Sequence, residues 1–384
     1  RVGWRYRLAL PDPITGKRGR PEWSQAFPTK DAADDHQRDV RRAIADGTYT
    51  NDRGMTLGEH LDDWLRRKES AGRKASTVEG YRSAVESRIR PALGHHRLGR
   101  LSQHHVQSFL DRVASEQQKG KGRTGTVTTG TVVNVRAVLR AALNDAVRRG
   151  LVPRNVATLV ELPEVKRPAP VSIPADRLTT WLDHCEREGD PLAALWLCCA
   201  VYGPRRGELL GLRWSDIDTG AHLVRIGQEV IDVPGRRACP HCDAGHTRVM
   251  FDVPKSAAGE RVWPLVAEVE AALIAHRLRQ DDDRAAYGPT YADHGLVFAQ
   301  PSGDPWRPDW ISRQFRRSFT DSGAAGGMDR VPSLKALRST SVTALHEAGV
   351  TLEAIARVTG HAGTAVTRDH YLSVSAEAVR APFE

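Results

Sequence analysis

One tyrosine near the end of the chain is preceded by cationic side chains in separate stretches of sequence. Tyr371 follows Arg205, Lys255, Arg338 and His361. Tyrosine offers a phenolic nucleophile, and guanidinium groups bind phosphate oxygens in bidentate geometry while staying charged at any working pH. The combination predicts attack of a phenol on a phosphodiester, which is the chemistry of DNA strand exchange.

Four stretches of the sequence carry these side chains. They are YGPRRGELLGLRWSDID (202–218), DVPKSAAGERVWPL (252–265), SLKALRSTSVTALHEAGV (333–350) and VTGHAGTAVTRDHYLSV (358–374). In this order and spacing they resemble the tyrosine recombinase family, the phage-type integrases. The resemblance spans nearly the whole chain and is strongest after residue 200.

The resemblance assigns a role to each of these residues. The first family arginine stands in a GxRxGEL pattern, which fits Arg205 rather than Arg206. The hairpin lysine, the second arginine, the histidine and the nucleophile of the family fall in turn on Lys255, Arg338, His361 and Tyr371.

The expected mechanism follows from the charge that a phosphodiester gathers when it is attacked. Arg205 and Arg338 would bind the non-bridging oxygens, where positioning and charge stabilisation supply most of the acceleration. Lys255 would protonate the departing deoxyribose oxygen, and His361 would hydrogen-bond the phosphate or assist Tyr371. Because a phosphotyrosine stores the energy of the broken bond, no ATP or metal ion is expected to be required.

Two positions depart from the family pattern. Lys335 stands where the family usually has His, and Ser339 stands where a second His is common. A lysine supplies a cationic donor to a phosphate oxygen but is a poor proton shuttle near neutral pH, so Lys335 is predicted to be a phosphate contact only. By the family pattern Glu208 braces the region of Arg205; a surface pair with Arg213 on the same helix is the alternative.

Each of these residues has an ordinary structural explanation when it is taken singly. Tyr371 would be an amphipathic contact, His361 a polar residue after a helix-ending Gly360, and Lys255 a turn lysine. Among 56 Lys and Arg residues, a single arginine is usually a solvated surface charge. All five residues of the family motif occur together and in the order of the family, which favours the catalytic interpretation.

Length and charge agree with this interpretation. A chain of 384 residues allows two or three domains, and a net charge of +9 favours a polyanionic partner, although a ribosomal or membrane-surface protein would share it. The sequence holds no signal-like segment and no apolar run of about 18 residues, so we expect no membrane and a location in the bacterial cytoplasm, at the nucleoid. Because the chain begins with Arg1, we expect it to be trimmed from a longer protein.

Residues 1–52 predict a small β-sheet followed by one helix. They resemble the arm-binding domain of integrases, and their strands mix basic with aromatic side chains that suit a DNA groove. A protein-docking module is the alternative. The predicted DNA contacts of this domain are Arg5, Arg7, Lys17, Arg18 and Arg20.

Residues 55–162 predict an all-helical unit that resembles the core-binding domain of the family. Three helix starts carry capping signals: Thr56 with Glu59, Ser76 with Glu79, and Ser102. A glycine-rich basic stretch at 119–130 adds Lys119 and Lys121 as predicted DNA contacts, with a solvated loop as the alternative.

A proline-rich stretch, 163–174, predicts a linker, and 175–384 form the predicted catalytic domain. That domain is expected to be mixed and mainly helical with a small antiparallel sheet, in which HLVRIGQEVIDV and TRVMFDVPK are strands and ERVWPL completes the sheet. The predicted fold class is multidomain α+β.

An additional segment, ACPHCDAGHTR, lies between the first two of these strands. Its Cys239, Cys242 and His246 have the spacing of zinc ligands, which predicts a structural zinc ion. No second Cys-x-x-Cys completes the set, so an exposed hairpin with reduced thiols is the alternative. A disulfide is not expected in a cytosolic protein.

These patterns together predict a site-specific DNA recombinase that integrates or excises a phage or mobile element. The resemblance implies four protomers on two duplexes, a Holliday junction, and accessory DNA-bending or directionality proteins. The alternatives are a non-catalytic DNA-binding regulator on the same fold and a type IB topoisomerase-like enzyme. A metal-dependent nuclease is disfavoured because no carboxylate cluster accompanies the tyrosine.

Overall fold

A computed structural model describes most of the chain, which divides into two compact units, Arg1–Lys166 and Arg167–Glu384. The described residues are 3–11, 18–24, 26–45, 54–116, 127–162, 171–232, 249–252, 260–360 and 364. Within these ranges, no helix has both the length and the apolar character needed to cross a membrane. The finer division into three domains and a linker stays a prediction.

The first unit begins with a two-stranded antiparallel sheet and a helix. These elements are β1 (Arg7–Pro11), β2 (Arg18–Trp23) and α1 (Lys30–Ala45). The Tyr6 hydroxyl lies 2.5 Å from Nδ1 of His36, which α1 contributes, and the rings of Phe27 and His36 lie 4.8 Å apart. These rings join the helix to the chain that flanks the strands.

Helices dominate the other described residues of the first unit. They are α2 (Leu57–Ser70), α3 (Ala75–Ala84), α4 (Arg90–Leu93), α5 (Gln103–Ser115) and α6 (Thr129–Arg148), and a π-helical turn over Val85–Ile89 joins α3 to α4. Their apolar faces enclose a core in which Trp64 and Leu139 are fully buried. Burial of these faces, rather than helix propensity, holds the unit together.

Capping residues fix where two of these helices begin. The backbone N–H of Glu59 donates to Thr56 Oγ1 at 3.2 Å, and the Thr56 N–H donates to Glu59 Oε2 at 2.7 Å, which confirms the predicted capping box. Ser102 Oγ likewise accepts from the N–H of His105 at 3.3 Å. Both side chains satisfy amides that the first helical turn leaves without partners.

The predicted capping box of Ser76 is wrong. Helix α3 begins at Ala75, its N-cap is Lys74, and no side chain caps it. Ser76 therefore lies inside the first turn rather than before it, where its hydroxyl cannot act as an N-cap.

The second unit is mainly helical, with two small antiparallel sheets among its described residues. Its helices are α7 (Ala175–Arg187), α8 (Ala193–Tyr202), α9 (Arg206–Leu210), α10 (Ala267–Tyr287), α11 (Pro308–Asp321), α12 (Lys335–Glu347) and α13 (Leu352–Thr359). Its strands are β3 (Ile217–Asp218), β4 (Leu223–Ile226), β5 (Glu229–Asp232), β6 (Val249–Asp252) and β7 (Arg261–Pro264). This mixture confirms the predicted fold class.

The predicted single strand HLVRIGQEVIDV is two strands in different sheets. One sheet has the order β3-β4-β7, and β5 pairs with β6 in the other. At the break, Gln228 Nε2 donates to the Gly211 carbonyl at 2.8 Å, and a Cβ added to Gly211 would lie 3.0 Å from the Gln228 carbonyl oxygen. Because the backbone at Gln228 lies this close to Gly211, the hydrogen-bonded pairing of β4 ends before that of β5 begins.

Aromatic rings pack together within the core of the second unit, among many aliphatic side chains. Trp181, Trp196, Phe315 and Phe319 are fully buried, and Trp181 meets Phe315 edge to face at 5.0 Å. The Trp181 Nε1–H donates to Ser318 Oγ at 2.9 Å, so the polar edge of the indole keeps a partner.

The described cysteines lie in this same core. Cys185 on α7 and Cys198 and Cys199 on α8 are buried free thiols. Burial raises the pKa of Cys185 to about 11 and that of Cys198 to about 12, so both stay protonated at neutral pH. These thiols act as small apolar side chains.

Candidate active site

Arg205 is anchored at both ends of its guanidinium group. It is the N-cap residue of α9. Its Nη1 donates to Glu208 Oε1 at 2.7 Å, and its Nη2 donates to the Gly360 carbonyl at 2.7 Å. The side chain is nevertheless 42% exposed, so its remaining N–H groups can reach a bound anion.

Arg338 is anchored by two backbone carbonyl groups. Its Nη1 donates to Gly203 at 2.8 Å, and its Nη2 donates to Thr359 at 2.7 Å. Gly203 ends α8 with a φ of +55°, and a Cβ there would lie 3.1 Å from the Arg338 Cα. The first glycine of the GxRxGEL motif is therefore what allows α12 to bring Arg338 this close.

The last turn of α13 receives side chains from three parts of the unit. Arg338 and Arg205 donate to Thr359 and Gly360, as above, while Arg261 Nε and Trp263 Nε1 donate to the Val358 carbonyl at 2.7 and 2.8 Å. A helix end leaves such carbonyls without partners and carries partial negative charge, which suits guanidinium groups. The site arginines thus gather at the point directly before His361.

Glu208 links two of these arginines. Its side chain is 1% exposed, and it accepts hydrogen bonds from the Arg205 N–H at 2.8 Å and from Arg261 Nη1 and Nη2 at 3.1 and 2.7 Å. Burial alone would raise the pKa of the Glu208 carboxyl, but hydrogen bonds from Arg261 and then from Arg205 outweigh it, so the pKa lies below the ordinary 4.5. Arg213 lies beyond the end of α9 and donates instead to Gln228 Oε1 at 3.3 Å.

Lys335 is the first residue of α12 and is exposed. It precedes Arg338 by three positions, so the two residues lie on the same face of the helix. This placement puts a flexible ammonium group one turn from an anchored guanidinium.

The other predicted site residues fall outside the described residues. They are Lys255, His361 and Tyr371 of the catalytic set, Lys17, Lys119 and Lys121 of the DNA contacts, and Cys239, Cys242 and His246 of the zinc site. Over the ranges that are described, no three His, Cys, Asp or Glu side chains are grouped in a way that could hold a metal ion.

The first strand and the residues just before it place two predicted DNA contacts at the surface. Arg5 and Arg7 are exposed, and the Arg7 guanidinium lies 5.2 Å from the centre of the Trp23 ring. Trp23 is itself 62% exposed. Arg18 and Arg20 belong to β2, and their side chains are outside the described set.

Tyr202 stands beside the first arginine motif but has a structural role. Its hydroxyl donates to the Pro264 carbonyl at 2.7 Å, and its ring stacks on Trp263 with the centres 4.8 Å apart. Burial raises the pKa of Tyr202 to about 12. A buried, protonated and hydrogen-bonded phenol is unsuited to attack on DNA.

The sequence interpretation missed Arg261. A usable signal lies in the alternation of ERVWPL, which puts Arg261 on the same strand face as the large apolar Trp263. In the structure both are buried, while Val262 and Pro264 are exposed. Strand alternation therefore puts a charge on the apolar face of the strand, and a buried charge requires a partner.

Comparison with known proteins assigns the chain to a family. The chain belongs to the Phage integrase family, whose profile matches residues 172–378. Residues 56–113 match the N-terminal SAM-like domain of phage integrases. The protein is a tyrosine-type site-specific recombinase, and neither the regulator nor the topoisomerase alternative is favoured.

Curated relatives match most of the chain. It is 28% identical over 344 residues to "Integrase" of Streptomyces ambofaciens, which covers 89% of this chain and 82% of that protein. It is 24% identical over 362 residues to "Tyrosine recombinase XerC-like" of Caldanaerobacter subterraneus subsp. tengcongensis, with 90% and 86% covered.

Solved structures share the fold. The Tn1549 transposon integrase in complex with transposon right end DNA matches with a TM-score of 0.65 at 19% identity, covering 85% of this chain and 99% of that one. A lambda integrase tetramer bound to a Holliday junction matches with a TM-score of 0.58 at 18% identity, covering 96% and 93%.

Proposed function

We propose that this recombinase cleaves and rejoins DNA through a 3′-phosphotyrosine on Tyr371, and so integrates or excises a phage or other mobile element. The observation that carries the proposal is the convergence of Arg205 and Arg338 on the end of α13. His361 follows that end directly, and Tyr371 comes ten residues after His361.

The reaction is a transesterification that conserves bonds. The Tyr371 oxygen attacks phosphorus as its proton passes to His361 or to water, the bond from phosphorus to the 5′ oxygen breaks, and Lys255 gives that leaving oxygen a proton. Arg205 and Arg338 neutralise the non-bridging oxygens as their charge grows. In the return step a 5′ hydroxyl from a different DNA end attacks the phosphotyrosine and releases the phenol.

Two further side chains support the phosphate. Lys335 contributes a third cationic donor to its oxygens, in place of the histidine common in the family. His361 hydrogen-bonds the phosphate or assists Tyr371. Glu208 does not contact DNA, because it is buried among arginines.

Double-stranded DNA attachment sites are the proposed substrate, and four protomers are the proposed assembly. The Tn1549 integrase is bound to transposon DNA, and lambda integrase forms a tetramer on a Holliday junction. The net charge of +9 and the exposed Arg5 and Arg7 support the same partner for this chain. Accessory DNA-bending or directionality proteins would complete the complex.

Catalysis is proposed to need no cofactor, since the phosphotyrosine keeps the energy of the cleaved bond. A structural zinc ion on Cys239, Cys242 and His246 is proposed separately.

The test is covalent capture from a pool of duplexes that carry a nick within randomised sequence. Wild-type protein is expected to leave adducts on a denaturing gel, and the captured DNA should share a consensus. Tyr371→Phe should form none, whereas Tyr202→Phe, which removes only a buried hydroxyl, should still form them. Adducts that persist in Tyr371→Phe would refute the proposal, as would a wild-type protein that forms none. Captured DNA without a consensus would favour the topoisomerase-like alternative.

A further inference from the structure

We propose that Arg261 is a positioning residue for strand cleavage. It holds the Glu208 carboxylate in the orientation that fixes the Arg205 guanidinium, and it ties this pair to the end of α13. The proposal rests on the function proposed above. It concerns a side chain that acts on the phosphate through Arg205 rather than by touching it.

The Arg261 guanidinium is committed to protein partners. The side chain is 6% exposed. Its two Nη groups face the two oxygens of Glu208 as a fork, its Nε donates to the Val358 carbonyl, and its plane lies 5.1 Å from the centre of the Trp263 ring. A fork on a carboxylate fixes direction as well as distance.

Arg261 and Arg205 share both oxygens of one carboxylate. Oε1 of Glu208 accepts from Nη1 of each arginine, while Oε2 accepts from Arg261 Nη2 and from the Arg205 backbone N–H. The Arg261 fork therefore sets the plane of the carboxylate, and that plane sets where the Arg205 guanidinium points. Without the fork, the carboxylate could rotate and take Arg205 with it.

Energetics favours orientation over stability as the role of this buried pair. Removing both ions from water offsets most of their attraction, and apolar side chains of similar volume often stabilise a core as well or better. A third charge, that of Arg205, shares the same carboxylate and remains partly exposed. The arrangement places one guanidinium with fixed geometry at the surface of the site.

Arg261 also lies at a junction of the site segments. It opens β7 opposite Ile226 of β4, directly after the connection from β6 that carries Lys255 in the sequence. Its Nε contact reaches the last turn before His361. One side chain thus joins the Arg205 segment, the strand that follows the lysine, and the end of α13.

The experiment compares Arg261→Met, Glu208→Gln and the double variant in single-turnover adduct formation on a captured site. We expect Arg261→Met to slow cleavage by about 10- to 100-fold, as a small misplacement of a reacting group does. DNA affinity by gel shift should stay close to wild type. Arg307→Met is the control: it breaks another arginine–carboxylate pair of the same unit, that of Arg307 with Asp232 at 3.3 Å, at a more exposed position, and it should change neither quantity much.

Two readouts separate positioning from a loss of folded structure. In a methylphosphonate substrate a methyl group replaces one non-bridging oxygen and removes the charge that Arg205 neutralises. The ratio of wild-type to Arg261→Met rates should therefore shrink on this substrate, whereas a folding defect would leave it unchanged. The double variant should be no slower than the slower single variant, because both changes break one link.

Several outcomes would overturn the inference. They are a wild-type rate in Arg261→Met, an equal rate ratio on the two substrates, and losses that multiply in the double variant. If Arg261→Met does not fold, Arg261→Lys keeps the charge without the fork and takes its place in the same comparison. A wild-type protein that forms no adduct would instead contradict the proposed function.

Discussion

Arg205 and Arg338 donate to consecutive carbonyl groups of one helix end, those of Gly360 and Thr359, and both distances are 2.7 Å. The two arginines come from α9 and α12, which lie far apart in the sequence. The separation of their guanidinium groups is therefore set by a single stretch of backbone. A shift of the end of α13 would move both groups together.

Arg205→Lys and Arg338→Lys should each reduce adduct formation by about 100-fold, the typical loss when one stabilising donor is removed. A lysine keeps the charge but has no fork with which to hold an anchor and a phosphate together. Single-turnover cleavage of a captured site measures the effect. Arg206→Lys is the control, because Arg206 bonds Asp309 and Ser312 rather than the end of α13. Equal losses in all three variants would contradict the assignment.

Gly203→Ala should cost more stability than Gly349→Ala. Both glycines have positive φ, +55° and +80°, so an alanine is strained at either position by about 1 to 2 kcal/mol. At Gly203 the new Cβ would also lie 3.2 Å from the Ser341 Cβ, whereas Gly349 has nothing within 4 Å. Urea unfolding of both variants measures the difference, and only Gly203→Ala should also slow cleavage. Equal destabilisation would mean that α8 and α12 can separate without cost.

Glu208 should make the second unit sensitive to acid. Because the pKa of the folded carboxyl lies below 4.5, its contribution to stability is complete above that pH and is lost as the pH falls through the lowered value. Glu208→Gln should destabilise the protein by about 3 to 5 kcal/mol at neutral pH, since it leaves Arg261 buried without its anion. Denaturant unfolding between about pH 3 and 7 should show that the difference in stability between wild type and Glu208→Gln becomes smaller as the pH falls. Glu268→Gln, at an exposed position, should lower stability at neutral pH far less. A Glu208→Gln difference that does not depend on pH would exclude the linkage.

Arg5→Ala and Arg7→Ala should reduce the salt dependence of DNA binding by the N-terminal strands. Each phosphate contact adds about 0.9 to the slope of log affinity against log salt concentration, because a bound counterion is released. The slopes come from binding titrations at several salt concentrations. Arg38→Ala removes an exposed arginine that pairs with Asp35 on α1, and should leave the slope unchanged. Unchanged slopes in all three would favour the protein-docking alternative for this domain.

The zinc proposal predicts about one metal ion per chain, and loss of that ion in Cys239→Ser and Cys242→Ser. Metal analysis of purified protein measures it directly. Less than about a tenth of an equivalent in wild type would exclude the site and favour a hairpin with reduced thiols.

Local patterns predicted much of the fold because local forces decide those features. The box of Thr56 and Glu59 needs only neighbours along the chain, and it formed as expected. Ser76 failed as a cap because α3 already begins at Ala75, with Lys74 as its N-cap, so the serine lies inside the first turn. The strand break at Gln228 depends on a contact with Gly211, which no pattern within the strand contains.

The site was predicted unevenly for the same reason. Motif spacing predicted Arg205 and Arg338 as members of one site, and the structure brings both to one helix end. Their anchors there are backbone carbonyls, which carry no sequence signature. Arg261 lies in a short strand whose alternation of inward and outward side chains can be read from the sequence. Its partner Glu208, however, lies in a different motif. The tertiary structure decides which two side chains pair across the fold, and a single motif does not contain that information.

The carbonyl anchors of Arg205 and Arg338 exist in the protein without DNA. Long flexible side chains normally lose rotamer freedom when they meet a ligand, and that loss weakens binding. Here the two side chains lose that rotamer freedom when the chain folds. Their guanidinium groups are therefore fixed in place before any anion binds. If these groups bind the scissile phosphate as proposed, they cannot choose among target sequences, because a phosphate is the same at every position of a duplex, and that choice falls to contacts elsewhere in the protein.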